Sequence, residues 1–501
     1  MTGIDRRSLL LAGAGVVTVS PLAVFSPAAA GRSRTHVFRG EFTRADTPDW
    51  HYLPFRVPRG VRRISVNYRY RPTETGVGVS YNVVDIGIFD PSGHGLGDAR
   101  GFRGWSGGAR RSFSISRRRA TPGYLPGPIT PGVWHIALGP YLITPPGTPW
   151  RVEVTLHFGE QATAVPPVPA PTEVAGRGPG WYRVDLHTHT AHSDGSRTRP
   201  ALVEEARAAG LHAVGSSEHN TSSATRSWGR YAPDDLLVVA GEEVTTRAGH
   251  WLAMGVPAGT WVDWRYRPED DRLSTFTGLV RDLGGVAIAC HPNNPVPSIQ
   301  WGYGHDYADV DAVEVWNGPW GYDDQITLSE WDGLLREGRF VPAVGTSDSH
   351  HSGQPVGLAQ TVLRMDALST ASLVAAVRGG HGWLAESSAV DLTLEATAGG
   401  TTAGCGDTLA AAPDALVTVT MTADGVAGCV GQLLGPAGVL AGVVATGDSL
   451  TVSAELPAAA VPYVRGEVRR TTVATDPLTS LSALPMVAMT NPVFVSAPGG
   501  V

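Results

Sequence analysis

The chain contains no lysine: all 39 of its basic side chains are arginine. That excludes every lysine-based mechanism, Schiff-base chemistry among them. Cysteine is nearly as scarce, with Cys290, Cys405 and Cys429 alone in 501 residues. Three scattered thiols make no disulfide scaffold; an oxidising compartment would allow Cys405 and Cys429 to pair, which the sequence does not decide. Charged residues make up 17% of the chain and the net charge is −7, with no basic stripe. No nucleic-acid-binding face is therefore expected. Beyond the N-terminus no apolar run is long enough to span a membrane.

Apolar residues make up 42% of the sequence, enough for several domains with cores. The N-terminus has the form of an export signal: "DRRSLL" with Arg6 and Arg7, an apolar run to Phe25, then the small-residue stretch "SPAAAGRS" with a cut expected after Ala30. The arginine pair predicts the twin-arginine route. The mature protein is then secreted, periplasmic or cell-surface, with no stable membrane insertion.

Beyond residues 1–30, texture divides the chain. Residues 35–160 alternate apolar and polar side chains in segments such as "RRISVNYRY" and "RVEVTLHF", parted by Gly/Pro turns. This pattern predicts a β-sandwich. Residues 161–180 form a Pro/Ala/Gly linker. From 181 to 385, eight apolar strand-length runs alternate with four amphipathic stretches, "RPALVEEARAAG", "STFTGLVRDLGG", "SEWDGLLREG" and "STASLVAAVRGG". Such alternation predicts buried parallel β-structure of an α/β barrel. Residues 386–501 return to short β-like segments and predict a small C-terminal β-domain.

The chemistry-bearing residues stand where the predicted strands of the middle region end. "DLHTH" places His187 and His189 at i and i+2, on one face of a strand. Asp194 follows, then Glu218 and His219, Glu242, Glu243 and His250, His291, and finally Asp348 and His350, again two apart. In a parallel barrel the C-terminal strand ends share one mouth. Imidazoles with carboxylates, lacking thiolates in matching spacing, favour Mn, Zn or Fe. Setting aside Glu218 and one of the adjacent Glu242 and Glu243, nine such ligands exceed the four that one tetrahedral ion takes, so two or three divalent ions sharing a carboxylate are expected.

In this order, "DLHTHTAHSDG", "EHN", "GEEVT…GH", "CHPN" and "GTSDSH" resemble the PHP (polymerase and histidinol phosphatase) domain of metal-dependent hydrolases, and more closely its CehA/McbA-like branch. "PMVAMTNPVFV" is similar to the closing segment of those proteins. The resemblance covers roughly residues 181–385 and implies a distorted (β/α)7 barrel with a di- or trinuclear metal site. It implies His187, His189 and Asp348 on the first ion, Glu243 as the bridge, and His250 and His291 on the second. Asp194, His219 and His350 would hold a third. His192 competes with Asp194, and Glu242 is the alternative to Glu243. Glu218 stands where the branch more often carries Asp. Asp185 is expected to orient a ligating imidazole.

Catalysis is expected from Glu243, Asp348 and His350 around an activated water. No serine nucleophile is required, because "GTSDS" lacks the glycine pattern of a hydrolase elbow. Arg197, Arg247 and Asn317 are expected to contact a small-molecule ester, with arginine forks favouring phosphate. Aromatics in "QWGYGHDY" and "VEVWNGPWGYDD" would instead suit an aryl ester or carbamate. A non-catalytic exported binding protein with a degenerate barrel is the third reading.

Overall fold

The computed structural model describes residues 32–71, 82–471 and 476–497. The export-signal segment lies outside them. Eight strands come first: β1 (Ser33–Phe42), β2 (His51–Val57), β3 (Val61–Tyr70), β4 (Val83–Phe89), β5 (Phe102–Trp105), β6 (Ser112–Ser116), β7 (Gly132–Leu142) and β8 (Thr148–Phe158). They form two antiparallel sheets, ordered β1-β8-β3-β6 and β2-β7-β4-β5. Alternate residues of β3 and β8 face a shared core that includes Ile64, Val66, Val152 and Val154. That is how a period-two pattern buries its apolar face.

The middle region carries β9 (Gly180–Asp185), β10 (Ala213–Ser216), β11 (Leu237–Thr246), β12 (Gly249–Met254), β13 (Val286–Ala289), β14 (Ala312–Asn317), β15 (Ala343–Thr346), β16 (Gln360–Met365) and β17 (Gly382–Ala385). Its helices are α1 (Arg199–Ala208), α2 (Leu273–Asp282), α3 (Tyr322–Arg336) and α4 (Thr370–Gly379). These match the four amphipathic stretches. Thr198 and Ser369 cap α1 and α4 by accepting from Ala201 N and Ser372 N. Gly380, at φ 63°, ends α4 in the left-handed conformation that glycine adopts without strain.

The sheet runs β15-β14-β13-β12-β11-β10-β9-β16-β17. The β9–β10, β10–β11, β13–β14 and β14–β15 pairs are parallel, whereas β12 is antiparallel to both neighbours and β16 to β9 and β17. In place of a closed (β/α)7 barrel, strand pairing among the described residues gives a mixed sheet that it does not close. Turns as short as the one between β11 and β12 allow only antiparallel return. Side chains instead tie β15 to the far strands: Asn491 accepts from Ala343 N at 2.8 Å and donates to Ala343 O and Gly382 O, and Thr361 bridges β16 to β15. Thr361 Oγ1 accepts from Gly345 N at 2.9 Å and donates to Gly345 O at 2.8 Å.

The C-terminal segment is not separate from this sheet. Residues Met486–Thr490 pair with β17, and Tyr463–Arg470, Cys429–Gly435 and Gly438–Val444 extend the same sheet beyond them. A four-stranded sheet containing Asp391–Ala398 packs on it. Cys405 and Cys429 are both buried and free, so the possible disulfide is not formed. Among the described residues no helix is long and apolar enough to cross a membrane.

The sandwich docks on the middle region through a buried aromatic seam. Phe89, Phe102 and Trp105 belong to one apolar cluster with Trp251, Trp264 and Tyr266. Phe102 stacks on Trp261 with ring centroids 4.0 Å apart. Arg265, ion-paired with Asp263 at 2.8 Å, donates to His94 O across the seam at 2.8 Å. An apolar interface of this kind holds the two units as one body.

The Thr361 bridge supplies a stability test. Thr361→Val leaves Gly345 N–H and C=O unpaired in a buried site and is expected to cost about 1–3 kcal/mol. Chemical denaturation of the two proteins measures it, and an unchanged midpoint would contradict the bridging role.

Candidate metal centre

The turns after β9, β10, β13 and β15, together with the β11–β12 hairpin, converge on one cluster. At its centre is Glu243, which is fully buried. Its Oε2 lies 3.3 Å from both His187 Nε2 and His189 Nε2, and 2.7 Å from His219 Nδ1. Its Oε1 lies 2.7 Å from His250 Nδ1 and 3.5 Å from His291 Nε2. Asp348 Oδ1 completes the first group, 3.2 Å from His187 Nε2 and 3.1 Å from His189 Nε2. On the solvent side, Asp194 Oδ1 lies 3.4 Å from His350 Nε2 and 3.6 Å from His219 Nε2.

All nine residues singled out as ligands therefore stand together. Their donor atoms fall into overlapping groups with metal-holding spacing: His187, His189 and Asp348; His219, Glu243 and His250; His189, Asp194, His219 and His350. A further group joins His187, Glu243 and His291 to the buried thiol of Cys290. The donors also fit divalent ions by their state of satisfaction. His187 Nε2, His250 Nε2 and His291 Nδ1 are buried with no hydrogen-bond partner, a condition that costs free energy unless a cation fills it.

Local backbone geometry aims these groups. His291 and Asp348 adopt φ of 29° and 47°, and Asn220, next to His219, 52°. Non-glycine residues rarely hold such angles, and they cluster where surrounding structure fixes a functional side chain. Gly195 permits the loop carrying Asp194 to fold back: a Cβ there would stand 2.5 Å from the His189 carbonyl.

Glu314 was missed in the sequence. It is buried within β14 and accepts from His187 Nδ1 at 2.8 Å, Thr346 Oγ1 at 2.8 Å, His291 N at 2.9 Å and Asn317 Nδ2 at 3.0 Å. It fixes the His187 tautomer that turns Nε2 to the centre. Its signal was present: a single acid in the apolar strand "AVEVWN". Asp185 holds backbone instead of a ring, accepting from His187 N, Ser347 N and Gly357 N.

Several other expectations are corrected. Asn317 donates to Glu314 and Thr346 and does not line the cavity over the cluster. Arg197 pairs with Glu205 at 2.7 Å and donates to His351 O and Gln354 O, which makes it a structural tie. Glu242 points away from the cluster and accepts from Val262 N. Glu218 accepts from Thr190 and Ser193, pinning the loop before Asp194. His192 turns away from the centre to Ser223 Oγ at 2.9 Å. Trp301, Tyr307 and Trp316 pack in the core, and Tyr322 lies exposed.

Electrostatics divides the imidazoles. Burial, reinforced by His350 and His219, pushes His189 down to about 3, which leaves it neutral and able to ligate. Burial opposes charge on His219 too, but Glu243 and Asp194 outweigh it and raise its pKa to about 10. Burial likewise disfavours charge on Glu243, yet the surrounding imidazoles hold its carboxyl well below the usual range. Burial pushes the Glu242 carboxyl well above the usual carboxylate range.

A cavity of about 450 Å³ opens onto this centre. Ser193, Asp194, His219, Thr245, Arg247 and His250 line it from the middle region. Trp50, Tyr70, Asp85, Trp105, Arg111 and Tyr141 line it from the sandwich. Arg247 lies between the two units. Its guanidinium carbon sits 5.2 Å from the Trp50 ring and 5.0 Å from the Tyr141 ring, and its three nitrogens are buried without hydrogen-bond partners.

No family model matches the sequence, and no curated protein matches it. Among solved structures, a two-domain protein from Bacteroides vulgatus containing a predicted PHP-like metal-dependent phosphoesterase is 16% identical, with a TM-score of 0.34. The match covers 65% of this chain and 99% of that one. A family two carbohydrate esterase from Cellvibrio japonicus is 13% identical over 69% of this chain and 96% of its own, with a TM-score of 0.14. A salicylyl-acyltransferase from a tetracycline biosynthetic pathway is 13% identical over 61% of this chain and 70% of its own, also at 0.14. Scores of this size carry no weight for fold or activity.

Glu314→Ala frees the His187 ring and is expected to weaken divalent-metal affinity about 10- to 100-fold. Competition with a chromogenic chelator measures this, and unaltered affinity would remove Glu314 from the site.

Proposed function

We propose that the protein is an exported metal-dependent hydrolase, acting first on phosphoesters. One observation carries the reading: a single buried carboxylate, Glu243, lies within 3.5 Å of five imidazoles, two of which, His219 and His250, line a ligand-sized cavity. Two or three divalent ions, Mn, Zn or Fe, suit nitrogen and oxygen donors of this kind. Held by this shell they would supply Lewis acidity and a water acidified toward neutral pH. In the resemblance to PHP domains, His187, His189 and Asp348 serve one ion and His250 and His291 another. Asp194, His219 and His350 serve a third.

The chain's own groups do the rest. Glu314 and Ser193 orient His187 and His189. Arg247 and Arg111 set a positive wall suited to an anionic ester. Asp85 is the candidate proton donor in place of Asp348 and His350, which the cluster engages. Its carboxyl lines the cavity and makes no hydrogen bond among the described residues. Burial pushes its pKa up to about 6, against Arg247 and His219, which lower it, and with Asp194, which raises it. Such a group can hand a proton to a departing oxygen.

A second reading rests on the cavity's other wall. Trp50, Tyr70, Trp105, Tyr141 and Trp264 make it aromatic, which favours an aryl ester or carbamate on the same centre. Metal analysis of the purified protein, with hydrolysis of bis-p-nitrophenyl phosphate and of naphthyl acetate, separates the readings. Bound metal with phosphodiester turnover is expected. Turnover of the acetate alone selects the second reading, and neither metal nor turnover refutes both.

His189→Ala and Asp348→Ala are each expected to lower turnover by more than about a hundredfold while circular dichroism stays unchanged. Near-normal rates in either would overturn the assignment.

Asp85 gives a pH test. A donor must be protonated, so activity on esters with poor leaving groups should fall as pH rises through about 6. In Asp85→Asn that limb disappears, and alkyl esters lose more than p-nitrophenyl esters. Equal losses for both would reduce Asp85 to a structural role.

A further inference from the structure

The loop of residues 190–195 has two sides. Ser193 and Asp194 face the cavity above the metal centre, whereas His192 faces a second concavity of about 300 Å³. Five arginines line this second space: Arg118 and Arg119, on the turn after β6; Arg199, which opens α1; and Arg226 and Arg230, in the 3-10 turn Thr225–Arg230. No carboxylate lines it. The contrast with the whole chain is sharp, since 46 acidic residues outnumber 39 basic ones.

We infer that this concavity is a binding site for a compact anion carrying two or more phosphate or sulfate groups. The inference is independent of the proposed hydrolysis. Arg199 is tied down, donating to Ala224 O at 3.1 Å and Ser227 Oγ at 2.6 Å. Among the described residues Arg230 donates to Pro166 O alone, at 3.4 Å. The side chains of Arg118, Arg119 and Arg226 make no hydrogen bond or ion pair among the described residues. Three uncommitted guanidiniums thus converge from two chain segments on a wall that repels cations. Like charges on a concave surface focus field on an anion, and each arginine fork matches two oxygens of a phosphate. Pro122, Pro126, Pro166 and Pro167 stiffen the remaining walls. A volume of about 300 Å³ favours a small diphosphate over a polymer. An occupant would touch His192, two residues from Asp194.

The test is calorimetric titration of the full-length, metal-loaded protein with pyrophosphate, which can also bind at the metal centre. His189→Ala, which removes one ligand from that centre, is expected to keep the pyrophosphate site of this concavity. In the Arg119→Ala/Arg226→Ala double variant that site weakens at least tenfold. Arg119→Ala alone, on an exposed turn that tolerates substitution, weakens it about threefold. Inorganic phosphate should bind at least tenfold more weakly than pyrophosphate. The inference fails if the double variant binds like the parent, if His189→Ala removes all binding, or if phosphate and pyrophosphate bind equally.

Discussion

The cluster depends on the Glu243 carboxylate. A fully buried anion that takes almost no hydrogen bonds from backbone is costly unless other charge surrounds it. Here five imidazoles do so, from the ends of β9, β10 and β13 and the start of β12. Each oxygen faces a different subset, so the residue divides the cluster into two halves while joining them. Glu314 repeats the arrangement one layer down: it fixes His187 and the backbone of His291 together, one residue from each half.

The second organising contact is the aromatic seam between sandwich and central sheet. Trp105 belongs to the seam and to the cavity wall alike. Packing that joins the two units therefore also shapes the space over the cluster. Tyr141 Oη donates to Ser298 O at 2.8 Å, and Gly123 N to Ser223 Oγ at 3.1 Å. These bonds fix the sandwich loops on either side of that space.

Much of the site was legible in the sequence because its residues follow a rule: histidines and acids placed where apolar strand runs end, twice at i and i+2. The four helices were legible for a similar reason, as each carries a period of 3.6 between turn residues. What escaped notice follows no period. Glu314 is one acid inside an apolar run, and its meaning depends on which strand lies beside it. Arg197 and Asn317 carry groups suited to substrate, but neighbours close in space had already engaged them. Trp50, Asp85 and Tyr141 approach the centre from a different unit, and their neighbours in sequence give no hint of it. The sheet departs from the expected parallel barrel for a topological reason, since a tight β11–β12 hairpin and the antiparallel β16 interrupt the parallel run.

The two walls of the cavity come from widely separated stretches of chain. The ligands lie between His187 and His350, whereas the aromatic lining lies largely before residue 142. Substitutions in the sandwich can recast the shape and polarity that a bound molecule meets without moving a single ligand. Reactivity and selectivity are thus free to diverge along separate lines of descent, one unit held constant while the other drifts.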